Sequence, residues 1–129
     1  MKGAEGITSA AAGDPPSRPL IWMGSGKEDI SRLPSPVKAS FGHRLRLVQQ
    51  GKPVADAKAL SVFGTGVVEL RESHDGNAFR TVYIVRLKKA VDVLHAFMKK
   101  SKSGISLPKR DAEVIASRLK RARMLDAEE

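Results

Sequence analysis

The chain has 129 residues, with 23 Lys and Arg against 14 Asp and Glu, and a formal charge of +9. That length bounds it to one domain, and the charge favours a polyanionic partner, either nucleic acid or an acidic protein. With no cysteine and three histidines lacking ligand spacing it offers neither a disulfide framework nor a metal site, and no apolar run reaches the roughly 18 residues of a transmembrane helix.

In chain order, residues 1–17 are rich in Gly, Ala, Ser and Pro and lack the apolar core of a signal peptide, so a disordered extension is expected ahead of a cytoplasmic domain over 18–125. Arg18–Met23 reads as a first strand, held to an edge or its first residue by Pro19. Ser25–Leu33 predicts a short helix ending at Pro34. Ser35-Pro36 then supplies an N-cap and first-turn proline for a second helix, with Val37, Phe41, Leu45 and Val48 in one stripe and Gly51 as its stop.

Lys52–Gly66 reads as a linking loop, and its Gly64-Thr65-Gly66 as a turn into the next strand. Two apolar segments follow, Val67–Glu72 and Phe79–Leu87, joined through Asp75-Gly76-Asn77, residues that tolerate a tight hairpin. A third strand, Val91–Phe97, runs into Met98-Lys99-Lys100-Ser101-Lys102. Pro108 opens a last helix with Ala112, Ile115, Ala116, Leu119 and Ala122 on its apolar face. Arg118, Lys120, Arg121 and Arg123 lie on the other, and Asp126–Glu129 is expected to fray. The order β-α-α-β-β-β-α predicts an α+β fold, a small antiparallel sheet with helices packed on one face.

Charge is concentrated in one place: from Ala78 to Arg110 nine Lys and Arg face a single acid, Asp92. Strand alternation puts Phe79, Thr81, Tyr83, Val85 and Leu87 under the helices and leaves Arg80 and Arg86 on an open face. A two-residue turn at Asp75-Gly76 would pair Arg71 with Arg80 and place Glu69 on that face. Alternation carried through the last strand puts Val91, Val93, His95 and Phe97 with the core, and Leu94, Ala96, Met98 and Lys100 beside Arg80. The expected site is therefore a cationic floor of Arg71, Arg80, Arg86 and Lys100 around the carboxylate of Glu69, suited to a phosphate backbone.

Phe79-Arg80-Thr81-Val82-Tyr83, Leu94-His95-Ala96-Phe97-Met98-Lys99-Lys100-Ser101 and Pro108-Lys109-Arg110-Asp111 resemble the RelE/ParE toxin superfamily, and within it the HigB-like, phage-derived branch of type II toxin–antitoxin systems. The resemblance spans about Arg18 to Arg123 and agrees with the element order above. It implies a metal-independent, cofactor-free mRNA endoribonuclease (an mRNA interferase) that works at the ribosome, inhibits translation and growth, and is sequestered by a helix-turn-helix, HigA-like antitoxin. The alternatives are a ParE-like inhibitor of gyrase without nuclease activity, or an inactive remnant that only binds RNA or its antitoxin. On this resemblance Arg80, Lys99 and Lys100 hold phosphate, and His95 belongs to the branch's motif as a candidate proton carrier. The face argument, not the resemblance, makes Glu69 the candidate general base, and Lys58, Arg71, Arg86 and Lys102 are expected to contact RNA. The C-terminal tyrosine of the classical relatives has no counterpart, since the one Tyr is Tyr83.

Overall fold

A computed structural model of the chain describes residues 17–86, 89–99 and 107–128. All of the expected extension except Ser17 lies outside these residues, as do Lys100 and Lys102. The elements are β1 (Leu20–Trp22), α1 (Gly26–Ser31), α2 (Ser35–Gln49), β2 (Lys58–Ala59), a 3-10 turn (Ser61–Phe63), β3 (Val67–His74), β4 (Asn77–Arg86), β5 (Ala90–Lys99) and α3 (Lys109–Glu128). The strands form one five-stranded sheet in the order β1-β5-β4-β3-β2.

Local chemistry accounts for the boundaries. The stripe Val37, Phe41, Leu45 and Val48 is the buried side of α2. The helix ends with Gly51 at φ 73, where Gly51 N–H donates to Val48 O and Lys52 N–H to Leu47 O, a Schellman closure. Asp75 and Gly76 both take positive φ, 50 and 77, as a two-residue type I′ hairpin requires. That turn sets the β3–β4 register, with Arg71 opposite Arg80 and Glu69 opposite Val82.

Three expectations need correction. The sheet is not wholly antiparallel: β1 runs parallel to β5, with Ile21 opposite Asp92. The linking loop contributes the two-residue β2, which pairs Lys58 with Glu69. The helices also do not share one face. Ile30 of α1 and Val37, Phe41 and Leu45 of α2 pack on Leu70, Phe79, Tyr83, Val91 and Val93 of the sheet. On the opposite face Ile115, Leu119 and Ala122 of α3 pack with Val67, Val82, Ile84 and Leu94. Both parities of β4 and β5 carry aliphatic residues, so the sheet has apolar surface to cover on each side and becomes the middle of three layers.

A fourth departure follows from a bulge. Val82 pairs with His95, but the next residue, Tyr83, pairs with Val93, so β5 holds one extra residue there. Leu94 and His95 consequently share a face, and every side chain from His95 onward is reversed from strict alternation. His95 and Phe97 stand on the Arg80 face, whereas Ala96 and Met98 pack with the α1 and α2 layer.

Tyr83, 3% exposed under α2, has its phenol pKa pushed up by burial to about 12, against a slight lowering by Arg44. The folded chain thus holds the phenolic proton more tightly than the unfolded one. This contribution is complete below the ordinary tyrosine value of about 10 and is lost as the pH rises towards 12. Urea unfolding at about pH 9 and about pH 11.5 should show an alkaline loss on the order of 2 kcal/mol that Tyr83→Phe removes. An equal loss in the variant would assign the effect to other groups.

Candidate functional site

At the hairpin end of the α3-side face the register aligns side chains in rows across the strands. One row reads Lys58, Glu69, Val82, His95; the next reads Arg71, Arg80, Phe97; the third puts Ala78 opposite Lys99. Neighbouring strands are about 4.8 Å apart and alternate residues along a strand about 6.7 Å, so these groups occupy one compact patch.

Its centre is the Glu69 carboxylate, which is fully buried. Arg71 Nε donates to Glu69 Oε1 at 2.7 Å, and Arg80 Nη1 lies 3.2 Å from Oε2. Arg80 is 3% exposed; its pKa is lowered mainly by burial, with Glu69 opposing that shift and Arg71 adding to it. Lys99 is also lowered, first by burial, then by Arg80 and Arg71, with Glu69 partly compensating. The patch therefore gathers three cations on one carboxylate, and among the described residues Arg80 Nε is buried without a hydrogen-bond partner. Arg71 reaches solvent, its side chain 41% exposed, and with Lys58 it flanks an open groove of about 620 Å³ beside Asp56, Ala57, Glu72 and Ser73. A guanidinium anchored on a buried acid at one side and wet at the other can receive an anion without reorganising.

His95 sits one row along, stacked on Phe97 with ring centroids 4.9 Å apart. Its Nε2 is 2.8 Å from Asp111 Oδ1 at the start of α3, and its Nδ1 is 3.7 Å from Asp29 Oδ2 of α1. Asp29 in turn accepts from Ser25 Oγ at 2.9 Å and lies 3.4 Å from Arg118 Nη1. Arg118 also donates to Leu94 O at 2.9 Å and packs on Gly24, where an added Cβ would stand 2.6 Å from its Nε. This network joins α1, β5 and α3.

The expected site residues thus separate into groups. Glu69, Arg71, Arg80 and Lys99 come together, with Lys58 at the groove edge and His95 adjoining. The expectation of an open, cation-lined face is corrected: Arg80 and Lys99 are buried, and α3 occupies the other end of that face. Arg86 stands apart at that end, its Nε 2.6 Å from Asp92 and its Nη1 3.6 Å from Asp126 of α3. Asp92 is itself buried, so Arg86 closes an internal ion pair rather than facing a partner. Lys99 has the Arg80-side parity and His95 leaves the α1 and α2 core, both because of the bulge, and the expectation for Lys100 falls outside the described residues. Sequence reasoning missed Asp29, Asp111 and Arg118. Only the Pro108-Lys109-Arg110-Asp111 motif signalled any of them. Asp126, expected to fray, pairs with Arg86 and with Lys89 at 3.3 Å.

Among the described residues no group of three His, Cys, Asp or Glu could hold a metal, and no helix is long and apolar enough to cross a membrane.

Residues 28–120 match the family described as phage derived protein Gp49-like. A solved structure of a double arginine-to-alanine mutant of the E. coli toxin RelE, in its free state, is similar in fold. The TM-score is 0.54 and the identity 16%, over 81% of this chain and 97% of that one. No curated protein matches.

Removing the Glu69 charge leaves a buried guanidinium without its counter-ion, which typically costs about 3–5 kcal/mol. Glu69→Gln should therefore lower the unfolding free energy in urea by that amount. Glu69→Met combined with Arg80→Met, which removes both charges, should recover most of it. A near-zero effect of Glu69→Gln would mean that the pair is hydrated.

Proposed function

The chain belongs to the Gp49-like family of phage-derived proteins, and from that premise and its RelE-like fold we propose that it is the toxin of a toxin–antitoxin pair and acts as a metal-independent endoribonuclease on messenger RNA. The observation that carries this reading is the grouping of Arg71, Arg80 and Lys99 around the buried carboxylate of Glu69.

The RNA strand enters by the groove between Lys58 and Arg71, the solvent-exposed members of the patch. A phosphate drawn between Arg71 and Arg80 competes with Glu69 for the same guanidiniums. It thereby satisfies the unpartnered Arg80 Nε and frees a carboxylate oxygen. That oxygen accepts the proton of the 2′-hydroxyl as its oxygen attacks the adjacent phosphorus. The two guanidiniums hold the charge that builds on the non-bridging oxygens. The bond from phosphorus to the 5′-oxygen breaks, and that oxygen takes a proton from Lys99, whose lowered pKa makes it a better acid than an ordinary lysine. The products are a 2′,3′-cyclic phosphate and a 5′-hydroxyl. His95, held by Asp111 one row away and stacked on Phe97, is the other group able to carry a proton. Lys100 and Lys102 extend the basic track in sequence, and Arg86 takes no part in this scheme.

The neutralising partner is a helix-turn-helix antitoxin, and the working surface in the cell is the ribosome with its bound message.

Arg80→Ala should slow RNA cleavage by about 10²–10³-fold, the usual cost of one transition-state charge partner. Its circular dichroism should stay that of the folded chain, and induced expression should no longer arrest growth. An oligonucleotide with a 2′-deoxy residue at the cleavage point should remain intact, and EDTA should leave the wild-type rate unchanged. Intact transcripts in cells that still stop growing would instead favour the gyrase-inhibiting alternative.

A further inference from the structure

Away from the patch, the 3-10 turn and the second half of α3 enclose an open groove of about 540 Å³. Val62 and Phe63 form one wall, and Ala116, Leu119, Met124 and Ala127 the other. Val62 is 83% exposed and Met124 48%, the two large apolar side chains left exposed among the described residues, and both line this groove. Exposed apolar groups gathered in one place mark an interaction surface, whereas scattered ones do not. The walls are braced: Arg123 Nη2 donates to Phe63 O at 3.1 Å and rests over Gly64, whose φ of 104 admits no side chain comfortably. Among the described lining residues the charged ones are Lys120 and Arg123, with no acid.

We propose that this groove docks an amphipathic helix of an acidic partner protein, which inserts aliphatic side chains between Val62 and Met124 and sets carboxylates against Lys120 and Arg123. Taking that partner to be the neutralising protein rests on the reading above. Charge selects the occupant: a second copy of this chain would bring another +9 and set like charges together at the rim, whereas an acidic helix is attracted. The groove is open rather than enclosed and lies between the 3-10 turn and α3, which suits a helix face better than a small molecule. None of Glu69, Arg71, Arg80 or Lys99 lines it, so a helix seated there leaves the phosphate-binding patch uncovered.

The experiment uses the full chain and the purified protein encoded by the adjacent reading frame, with binding read by calorimetry and cleavage by gel. Val62→Asp and Met124→Glu lie on separate elements at the surface, so each should fold normally by thermal melt. Each should weaken binding at least tenfold with the cleavage rate unchanged, and Lys120→Glu should weaken it in the same direction. Arg80→Ala should bind the partner with wild-type affinity. A fluorescent 2′-deoxy oligonucleotide should still bind the complex. Unchanged affinity in both groove variants, no binding by the wild type, loss of binding in Arg80→Ala, or self-association through the groove in sedimentation would each overturn the proposal. Groove-dependent binding by a chain that cleaves no RNA would instead overturn the nuclease reading and leave the docking site standing.

Discussion

A single carboxylate inside the sheet decides what this surface can be. Glu69 has no contact with solvent, and its two oxygens face Arg71 and Arg80 from the neighbouring register positions. Burying an acid is tolerable only when opposite charges and hydrogen bonds replace its water, so the acid dictates where the guanidiniums stand. The strands supply the spacing, because the hairpin sets Arg71 opposite Arg80 and both one row from Glu69. The same arrangement gives the patch its chemistry: its cations are positioned before any anion arrives, and the partner they hold in the meantime is one that an incoming phosphate can replace.

The remaining charges hold the layers together. Arg86, Asp92, Asp126 and Lys89 fasten the C-terminal end of α3, while Asp29, His95, Asp111 and Arg118 fasten its N-terminal end to α1 and β5. Between them the apolar contact is modest, three buried residues of a 20-residue helix. The polar fastenings therefore set where α3 lies, and with it how much of the sheet face is left for other molecules. Basic residues that look alike in sequence divide by this geometry into those that bind the chain to itself and those grouped at the patch.

Much of this was legible in the residues. Asp75-Gly76 announced a two-residue turn, and the register of Arg71, Arg80 and Glu69 follows from it by counting. The stripe of α2 and the stop at Gly51 came from spacing alone. What failed had a common cause: long-range pairing leaves little trace in a local pattern. A two-residue strand at Lys58–Ala59 has no period to read, and the parallel pairing of β1 depends on where β5 runs. The position of α3 could have been inferred from Val82, Ile84 and Leu94, aliphatic residues lying on the supposedly open face. Asp92, the lone acid in a basic stretch, was the visible sign that one nearby cation, Arg86, was already spoken for.

The extra residue at Leu94–His95 carries a consequence for comparing this chain with its kin. Without it the strand would alternate regularly, and Val82 with His95 and Tyr83 with Val93 would pair in the same register. A chain missing Leu94 would therefore keep the imidazole, the phenyl ring and the Lys99 ammonium on the Arg80 face. With the residue present, the bulge is what holds them there. Strict alternation of the same sequence would turn the imidazole and the phenyl ring into the aliphatic layer and bring the thioether of Met98 to the Arg80 side in place of Lys99. One irregular backbone position therefore does the work of several simultaneous substitutions. A relative that lacks the insertion would carry its basic residue one step earlier, so homologous cations should be matched by strand parity rather than by column.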